Sequence, residues 1–198
     1  WRGKEIEPLD LTAVDAAVDQ IRRRGIRSVA VSLLFSFRNP EHEHRVRDRI
    51  AASAPELSIY LSSDMNPEVR DYERGSTTVV GASLSSLVQG LFDDLESRLS
   101  GVGVPAVTEV IKSNGGIMSA KSARAKPLEI VRSGPAGGVA SVHRMSQELG
   151  LPNLIGVDIG GTTADVSVIT DGVVTYTNQT QLQWDIPIRV AMADVRSV

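Results

Sequence analysis

VDIGGTTADVSVI, from Val157 to Ile169, reads as a strand, a turn holding two adjacent glycines and two threonines, and a second strand. Val157, Ile159, Val166, Val168 and Ile169 supply the branched bulk that strands favour. Between them, Gly160 and Gly161 lack the Cβ atoms that would hold a ligand off the backbone. The amides of such a turn can converge on an anion, and the hydroxyls of Thr162 and Thr163 add donors for a phosphate oxygen. Asp158 and Asp165 bracket the turn. Carboxylates beside a phosphate cradle make chemical sense only when a cation or a reacting water lies between the like charges, which points to a magnesium nucleotide. The residue types alone fit equally a β-hairpin whose glycines merely make the turn.

Composition sets the frame. The chain has 198 residues, 41% hydrophobic and 23% charged, enough to bury a core as one domain or two small ones. A net charge of -3, with basic residues scattered and no alternation of lysine or arginine with aromatics, offers no nucleic-acid footprint. Without cysteine there are neither disulfides nor thiolate metal sites. No apolar run reaches the length of a membrane span and Trp1 to Asp10 is polar, so the expectation is a soluble, cytoplasmic protein with no membrane partner. On that expectation the glycosylation sequon at Asn178 is a coincidence.

Along the chain, Leu11, Val14, Ala17, Val18 and Ile21 mark one helical face, with Asp10 as its N-cap and Gly25 as its stop. Ile26 to Phe35 reads as a strand covered on both faces. Pro40 opens a second helix running to about Ala54, with Glu41 and Glu43 near its positive end, and Leu57 to Leu61 is a short strand. Pro67 to Leu99 carries apolar residues at helical spacing for one or two long helices, with Gly75 or Gly81 as bending points. Further strands are expected at Ala106 to Ile111, Leu128 to Val131 and Leu154 to Asp158, and a helix at Gly134 to Leu149. Asp171 and Gly172 form a turn between Thr163 to Thr170 and Val173 to Asn178, so the glycine loop opens a meander.

Three groups of residues carry chemistry or its opposite. Asn114, Gly115 and Gly116 follow a strand, where they can present amides or a carboxamide to a ligand or simply turn the chain. Glu68, Arg70, Asp71, Glu73 and Arg74 have the spacing of helical ion pairs, expected as a solvated or lobe-bridging network. His42 and His44 are two apart, unlike helical zinc ligands, and His143 is expected on a helix surface. Neither a Gly-x-Ser-x-Gly elbow nor a Gly-x4-Gly-Lys loop occurs.

The stretch Asp158 to Asp165 resembles the second phosphate loop of the actin, Hsp70 and sugar-kinase ATPase superfamily. More specifically, LLFSFRNPEHE (Leu33 to Glu43), EVRDYERGSTTVV (Glu68 to Val80), KSNGGIMSA (Lys112 to Ala120) and SGPAGGVAS (Ser133 to Ser141) occur in the order found in the A subunit of the hydantoinase, N-methylhydantoinase and 5-oxoprolinase family. The resemblance implies an α/β fold of actin/Hsp70-like, ribonuclease H-like ATPase lobes, mixed sheets with helices, present only in part. Residues 1–66 would close the first lobe, and residues 67–198 would start the hydantoinase A/oxoprolinase domain. It further implies an ATP- and Mg2+-dependent hydrolase that opens cyclic amides such as hydantoins or 5-oxoproline and works with a hydantoinase B-type subunit. Related members carboxylate ketones, and the same loop would equally serve a non-catalytic nucleotide switch or a sugar-kinase-like phosphotransferase. Gly160, Gly161, Thr162 and Thr163 would hold phosphates, Asp158 would act catalytically by orienting a magnesium-bound water, and Asp165 would support the loop. Gly134, Pro135, Gly137 and Gly138 would begin the helix that joins the lobes as a hinge, although a glycine-rich helix start with an early proline is also common. The family's first phosphate loop and its adenosine segment have no counterpart here, so the chain is expected to be an internal piece of a longer polypeptide and inactive alone.

Overall fold

The computed structural model describes residues 5–104, 108–181 and 185–197. It divides into two compact units, Trp1–Gly90 with Gln181–Arg189, and Leu91–Thr180 with Val190–Val198. Among the described residues no helix is long and apolar enough to cross a membrane.

The first unit begins with α1 (Leu11–Arg23), capped by the Asp10 carboxylate, which accepts from the Thr12 amide at 2.8 Å and the Ala13 amide at 3.3 Å. Gly25, at φ +65, ends it as expected. The strands β1 (Ser28–Val31) and β2 (Ser58–Leu61) pair in parallel, and α2 (Glu41–Ser53) is the crossover that parallel pairing requires. Val18, Val31, Val46, Ile50, Ala54, Leu57 and Leu61 form their common core. The expected strand Ile26 to Phe35 is shorter, because residues 34–38 turn and Phe35 adopts φ 58, leaving Leu34 and Phe35 exposed. The short α3 (Ser62–Met65) precedes α4 (Asp71–Gly101), a single helix of 31 residues through Gly75 and Gly81.

The turn after β1 bends toward a buried polar cluster, and of the ion network expected as solvated or lobe-bridging Arg74 lies in it, whereas Glu68 and Arg70 are exposed. Glu43 and Arg74 are both fully buried. The Glu43 carboxylate accepts from the Leu33 amide at 2.8 Å, the Ser62 hydroxyl at 2.6 Å and the Ser63 amide at 2.9 Å. Arg74 donates to the Ser62 hydroxyl at 2.9 Å, to the Leu33 carbonyl at 2.8 Å and to Asp71. Ser62 thus links a buried anion to a buried cation, and Leu33 bonds to each through its own amide and carbonyl. Burial opposes the charge on Glu43, but the Ser62 hydroxyl and the Leu33 and Ser63 amides outweigh it and hold its carboxyl below the usual glutamate range. With the folded-state value lowered, the stabilisation is fully present above the unfolded value, near pH 4.3, and is lost as pH falls through the lowered value. Glu43→Gln, which swaps an acceptor oxygen for a donor, is expected to cost about 1–3 kcal/mol at neutral pH and to flatten this acid dependence in urea melts. Parent-like stability across pH would remove the cluster from the fold's energetics.

In the second unit, β3 (Glu109–Ile111) and β4 (Ile117–Ser119) form an antiparallel hairpin. Ala106 and Val107 of the expected strand lie outside the described residues. Next come α5 (Ala120–Ala125) and a 3-10 turn over Pro127–Ile130 where a strand was expected. Tertiary bonding decides that difference. Ser113 is buried, its amide donates to the Glu129 carbonyl at 2.7 Å, and its hydroxyl lies 2.8 Å from that carbonyl and 2.6 Å from the Val131 carbonyl. These carbonyls are therefore taken up without a strand partner, and Pro127 pre-sets the first position of the turn. Ser113→Ala is expected to cost about 1–3 kcal/mol, read by denaturant unfolding, because it strips a donor from buried carbonyls; a loss below about 0.5 kcal/mol would show that those carbonyls are satisfied otherwise.

The helix α6 (Ser133–Leu149) then leads to β5 (Leu154–Ile159), β6 (Ala164–Thr170) and β7 (Val173–Val174). The left-handed pair Asp171 and Gly172, at φ 51 and 74, turns β6 into β7 as expected. Shorter strands follow as β8 (Tyr176–Thr177), β9 (Thr180–Gln181), β10 (Pro187–Ile188), β11 (Met192–Ala193) and β12 (Val195–Ser197). β6 is the central strand, flanked by β5 on one edge and by β7 and β12 on the other, while β8 pairs with β11. One sheet face packs Ile169, Val174 and Val195 against Ala136 and Val139 of α6. The other leaves Ile155, Val157, Ile159 and Val168 exposed, so three of the five branched residues that identify these strands lie outside the unit's own core.

Candidate functional site

The glycine loop closes the β5–β6 ladder, with the Gly160 amide donating to the Thr163 carbonyl at 2.9 Å. Gly160, Gly161, Thr162 and Thr163 are all exposed. A Cβ on Gly160 would meet only the Thr163 carbonyl oxygen at 3.6 Å, one on Gly161 would meet nothing within 4 Å, and neither glycine has a positive φ. The chain itself therefore imposes no requirement for glycine at either position. The glycines' lack of a Cβ leaves the loop backbone open to the outside.

Asp158 and Asp165 are directly opposed in the ladder. They share the face turned toward α6, since Leu154, Gly156 and Asp158 on β5 oppose Ile169, Ser167 and Asp165 on β6. Together with Pro135, Gly138, Val139 and Val142 of α6 they line a cleft of about 230 Å³. The loop, its two carboxylates and the start of α6 thus come together, and no lysine or arginine lines the space among the described residues. Like charges directly opposed across a ladder are unfavourable. Only one of the two is offset within the unit: the Ser197 hydroxyl donates to Asp165, and Arg132, itself left-handed at φ 62, donates to Ser197 at 3.0 Å and to the Val195 carbonyl at 3.1 Å. Asp158 is exposed and its carboxylate takes no hydrogen bond from the described residues.

Along α6 the small residues have separate reasons. A Cβ on Gly137 would lie 3.2 Å from the tip of Ile111, whereas Gly134 and Gly138 face open space. Nothing in the unit requires glycine at those two positions. Gly156, to which no sequence motif points, is the tightest position, since a Cβ there would meet Val142 Cγ2 at 2.6 Å and Ser167 Oγ at 2.7 Å. Arg132 and Ser197 likewise carry no motif that marks them. Asn114, Gly115 and Gly116 do form the β3–β4 turn, with the Gly116 amide donating to Asn114 Oδ1 at 3.0 Å and Gly115 at φ +79. They stand on a different cleft from the carboxylates. His143 lies on α6 as expected, half-buried, with Nε2 3.1 Å from the Gly172 carbonyl.

A unit built of a glycine-loop hairpin, a small-residue helix and an acidic cleft is matched by known proteins. The family model described as Hydantoinase/oxoprolinase matches residues 74–198, and the Hydantoinase/oxoprolinase N-terminal region matches residues 1–53. The chain belongs to the hydantoinase/oxoprolinase family. It is 33% identical over 170 residues to caprolactamase subunit alpha of Pseudomonas jessenii, covering 86% of this chain and 24% of that one. It is 32% identical over 182 residues to the acetone carboxylase beta subunit of Xanthobacter autotrophicus, covering 89% and 25% respectively. The crystal structure of the ATP-dependent caprolactamase from Pseudomonas jessenii superposes with a TM-score of 0.84 at 29% identity, over 100% of this chain and 28% of that one. The fold is thus a part of the mixed α/β, actin-like ATPase architecture, and the chain spans about a quarter of the length of these relatives.

Proposed function

We propose that this chain supplies the second phosphate loop of an ATP-dependent enzyme that opens cyclic amides. The observation that carries the reading is the opposed pair Asp158 and Asp165 beside a loop whose glycines the fold does not need. Like charges so placed are stabilised by a cation between them and its anionic ligand. The exposed amides of Gly160 and Gly161 and the hydroxyls of Thr162 and Thr163 are suited to phosphate oxygens. Among the described residues no cluster of three or more acidic or histidine ligands occurs, so this chain offers an ion few oxygens of its own. That donor set suits Mg2+, which keeps several waters and is completed by substrate phosphates. When bound, magnesium ATP supplies the phosphoryl group that turns an amide oxygen into part of a leaving group. Asp158, whose carboxylate has no hydrogen-bond partner among the described residues, would orient water at the ion, while Asp165, held by Ser197, would support the loop. The start of α6, Gly134 to Gly138, serves as the pivot on which the cleft opens and closes.

The relatives bracket the substrate. One is named for a lactam and one for a ketone, both carbonyl compounds, and both are named as subunits, so a B-type partner subunit completes the enzyme in this reading. Residues 1–66 then belong to the first lobe, residues 67–198 to the second domain, and the site of action is cytoplasmic. The test is an ATPase screen of the intact polypeptide carrying this chain, with its partner subunit, against cyclic amides and ketones. Hydrolysis that rises only with a cyclic amide and yields the opened amino acid is expected. Stimulation by ketones alone, with bicarbonate required, would move the enzyme to the carboxylases, and ATP hydrolysis indifferent to both would leave a nucleotide switch.

A further inference from the structure

Arg132, the residue before α6, breaks three local preferences at once. Its backbone is left-handed at φ 62, a region that costs any residue with a Cβ. It stands at the N-cap, where a short side chain normally accepts from the first turn's amides, and its own side chain makes no such bond. It also brings a cation to the positive end of a helix whose first turn holds no acid. Conflicts of this kind between a residue and its local setting gather at functional positions, and the reason for this one lies where the guanidinium reaches. We propose that Arg132 is a positioning residue that couples the start of α6 to the glycine loop, through the Ser197 hydroxyl and the Asp165 carboxylate.

Register builds the path. Ser197 on β12 opposes Asp165 on β6, and Asp165 opposes Asp158 on β5, so the three side chains form one row across three strands on the face that receives α6. Arg132 meets the end of that row, 3.0 Å from Ser197 Oγ, which in turn lies 2.5 Å from Asp165 Oδ1. Chemistry fixes the sense of these bonds. A guanidinium only donates and an ionised carboxylate only accepts, so the single hydroxyl proton goes to Asp165 and a lone pair takes the Arg132 N–H. Asp165 is thereby held through Oδ1, and its Oδ2 takes no hydrogen bond from the described residues. Among the described residues, Arg132 is the one cation that a chain of hydrogen bonds joins to the opposed carboxylates.

The same residue is bound into the helix. Its carbonyl accepts the Ala136 amide at 3.2 Å at the opening of α6, while its guanidinium also donates to the Val195 carbonyl at 3.1 Å. The first turn of α6, with Pro135 and Gly138 on the cleft wall, therefore cannot shift from β12 without stretching the bonds that hold Asp165. A neighbouring arginine marks the contrast. Arg196 pairs with Val166, so its side chain leaves the opposite face of the sheet, 83% exposed and 3.6 Å from Asp194. That the coupling serves turnover rests on the nucleotide reading; the coupling itself does not.

The test uses the intact polypeptide with its partner subunit, in the variants Arg132→Met, Arg132→Lys, Ser197→Ala, the double Arg132→Met with Ser197→Ala and, as a control for net charge, Arg196→Met. Hydrogen exchange without magnesium or nucleotide comes first. Residues 133–138 and 158–165 are expected to exchange about tenfold faster than in the parent, both segments together, in Arg132→Met and in Ser197→Ala, and to stay at the parent rate in Arg196→Met. In ATPase assays Arg132→Met and Ser197→Ala are each expected to lower kcat about tenfold, the low end for a residue that orients another at a metal, with KM for ATP within about threefold of the parent. The double variant is expected to lose no more than either single one, because both substitutions cut the same path. Arg132→Lys, which keeps the charge without the planar fork, is expected to fall between Arg132→Met and the parent. Exchange at 158–165 unchanged in both single variants, faster exchange confined to 133–138, additive losses in the double variant, or an Arg196→Met defect as large as that of Arg132→Met would each overturn the proposal. Ser197→Ala, a small change at an exposed position, keeps the test decisive where Arg132→Met weakens the fold. Magnesium ATP is added to the parent as a separate arm: exchange at 158–165 that it leaves unchanged counts against the nucleotide reading, whereas the coupling is read before any nucleotide is present.

Discussion

Replacing Gly156 with alanine is expected to lower the stability of the second unit by about 1–3 kcal/mol, and replacing it with valine to leave that unit largely unfolded. The reason is a distance. Gly156 opposes Ser167 on the face of the sheet that receives α6, and a Cβ built there lies 2.6 Å from Val142 Cγ2 and 2.7 Å from Ser167 Oγ. The serine hydroxyl can rotate away, but Val142 is stiff at χ1 and is packed against the core of Ala136, Val139 and Ile169, so relief must come from moving the helix off the sheet. Such a shift would loosen every contact along α6. Urea unfolding followed by circular dichroism measures the loss, and a double-mutant cycle identifies its cause, since Gly156→Ala should cost less when Val142 is already alanine. Full parent stability in Gly156→Ala would mean that α6 and β5 do not approach as closely as described.

What could be read from sequence divides along a physical line. Local signals sufficed where a residue's own backbone preference decided the outcome: the Asp10 cap, the Gly25 stop, the Asp171–Gly172 turn and the strand–loop–strand run around Gly160. They failed where a distant partner decided it. Leu128 to Val131, Leu-Glu-Ile-Val, is too short for periodicity to separate a strand from a helical turn, and it is Ser113, 15 or more residues earlier, that bonds to its carbonyls. Arg74 reads as one member of a solvated or lobe-bridging ion network and Glu43 as a carboxylate near a helix start, because such residues are seldom fully buried; their burial depends on Ser62 and Leu33 meeting them from other elements. The strand–glycine-loop–strand was legible as a motif, yet the facing of Asp158 and Asp165 toward α6 follows from register, and the tether of Asp165 to Ser197 from the pairing of β12 with β6. Gly156 carried no signal at all, since a single glycine in a strand has many meanings until the helix that covers it is placed.

That asymmetry between the two aspartates gives the prediction with the largest effect on activity. In the intact polypeptide with its partner, Asp158→Asn is expected to lower turnover by at least about 100-fold, the order found when a charge or donor aimed at the reacting centre is removed. Asparagine keeps the shape, so the ladder with Asp165 stays in register, and nucleotide affinity, resting on loop amides and hydroxyls that the substitution does not touch, should stay within a few-fold of the parent. Folding stability should hold or rise slightly, because the substitution dissolves a like-charge pair across the ladder. A residue needed only for structure would not behave so, since its loss would cost stability and activity together. Asp165→Asn should reduce turnover less, because that carboxylate is already engaged by the Ser197 hydroxyl and acts through the loop. Single-turnover assays with labelled ATP, beside calorimetric binding and thermal melts of each variant, separate the three quantities. Turnover near the parent value in Asp158→Asn would take Asp158 out of the mechanism, and the opposed carboxylates would then need another account of why they face one cleft.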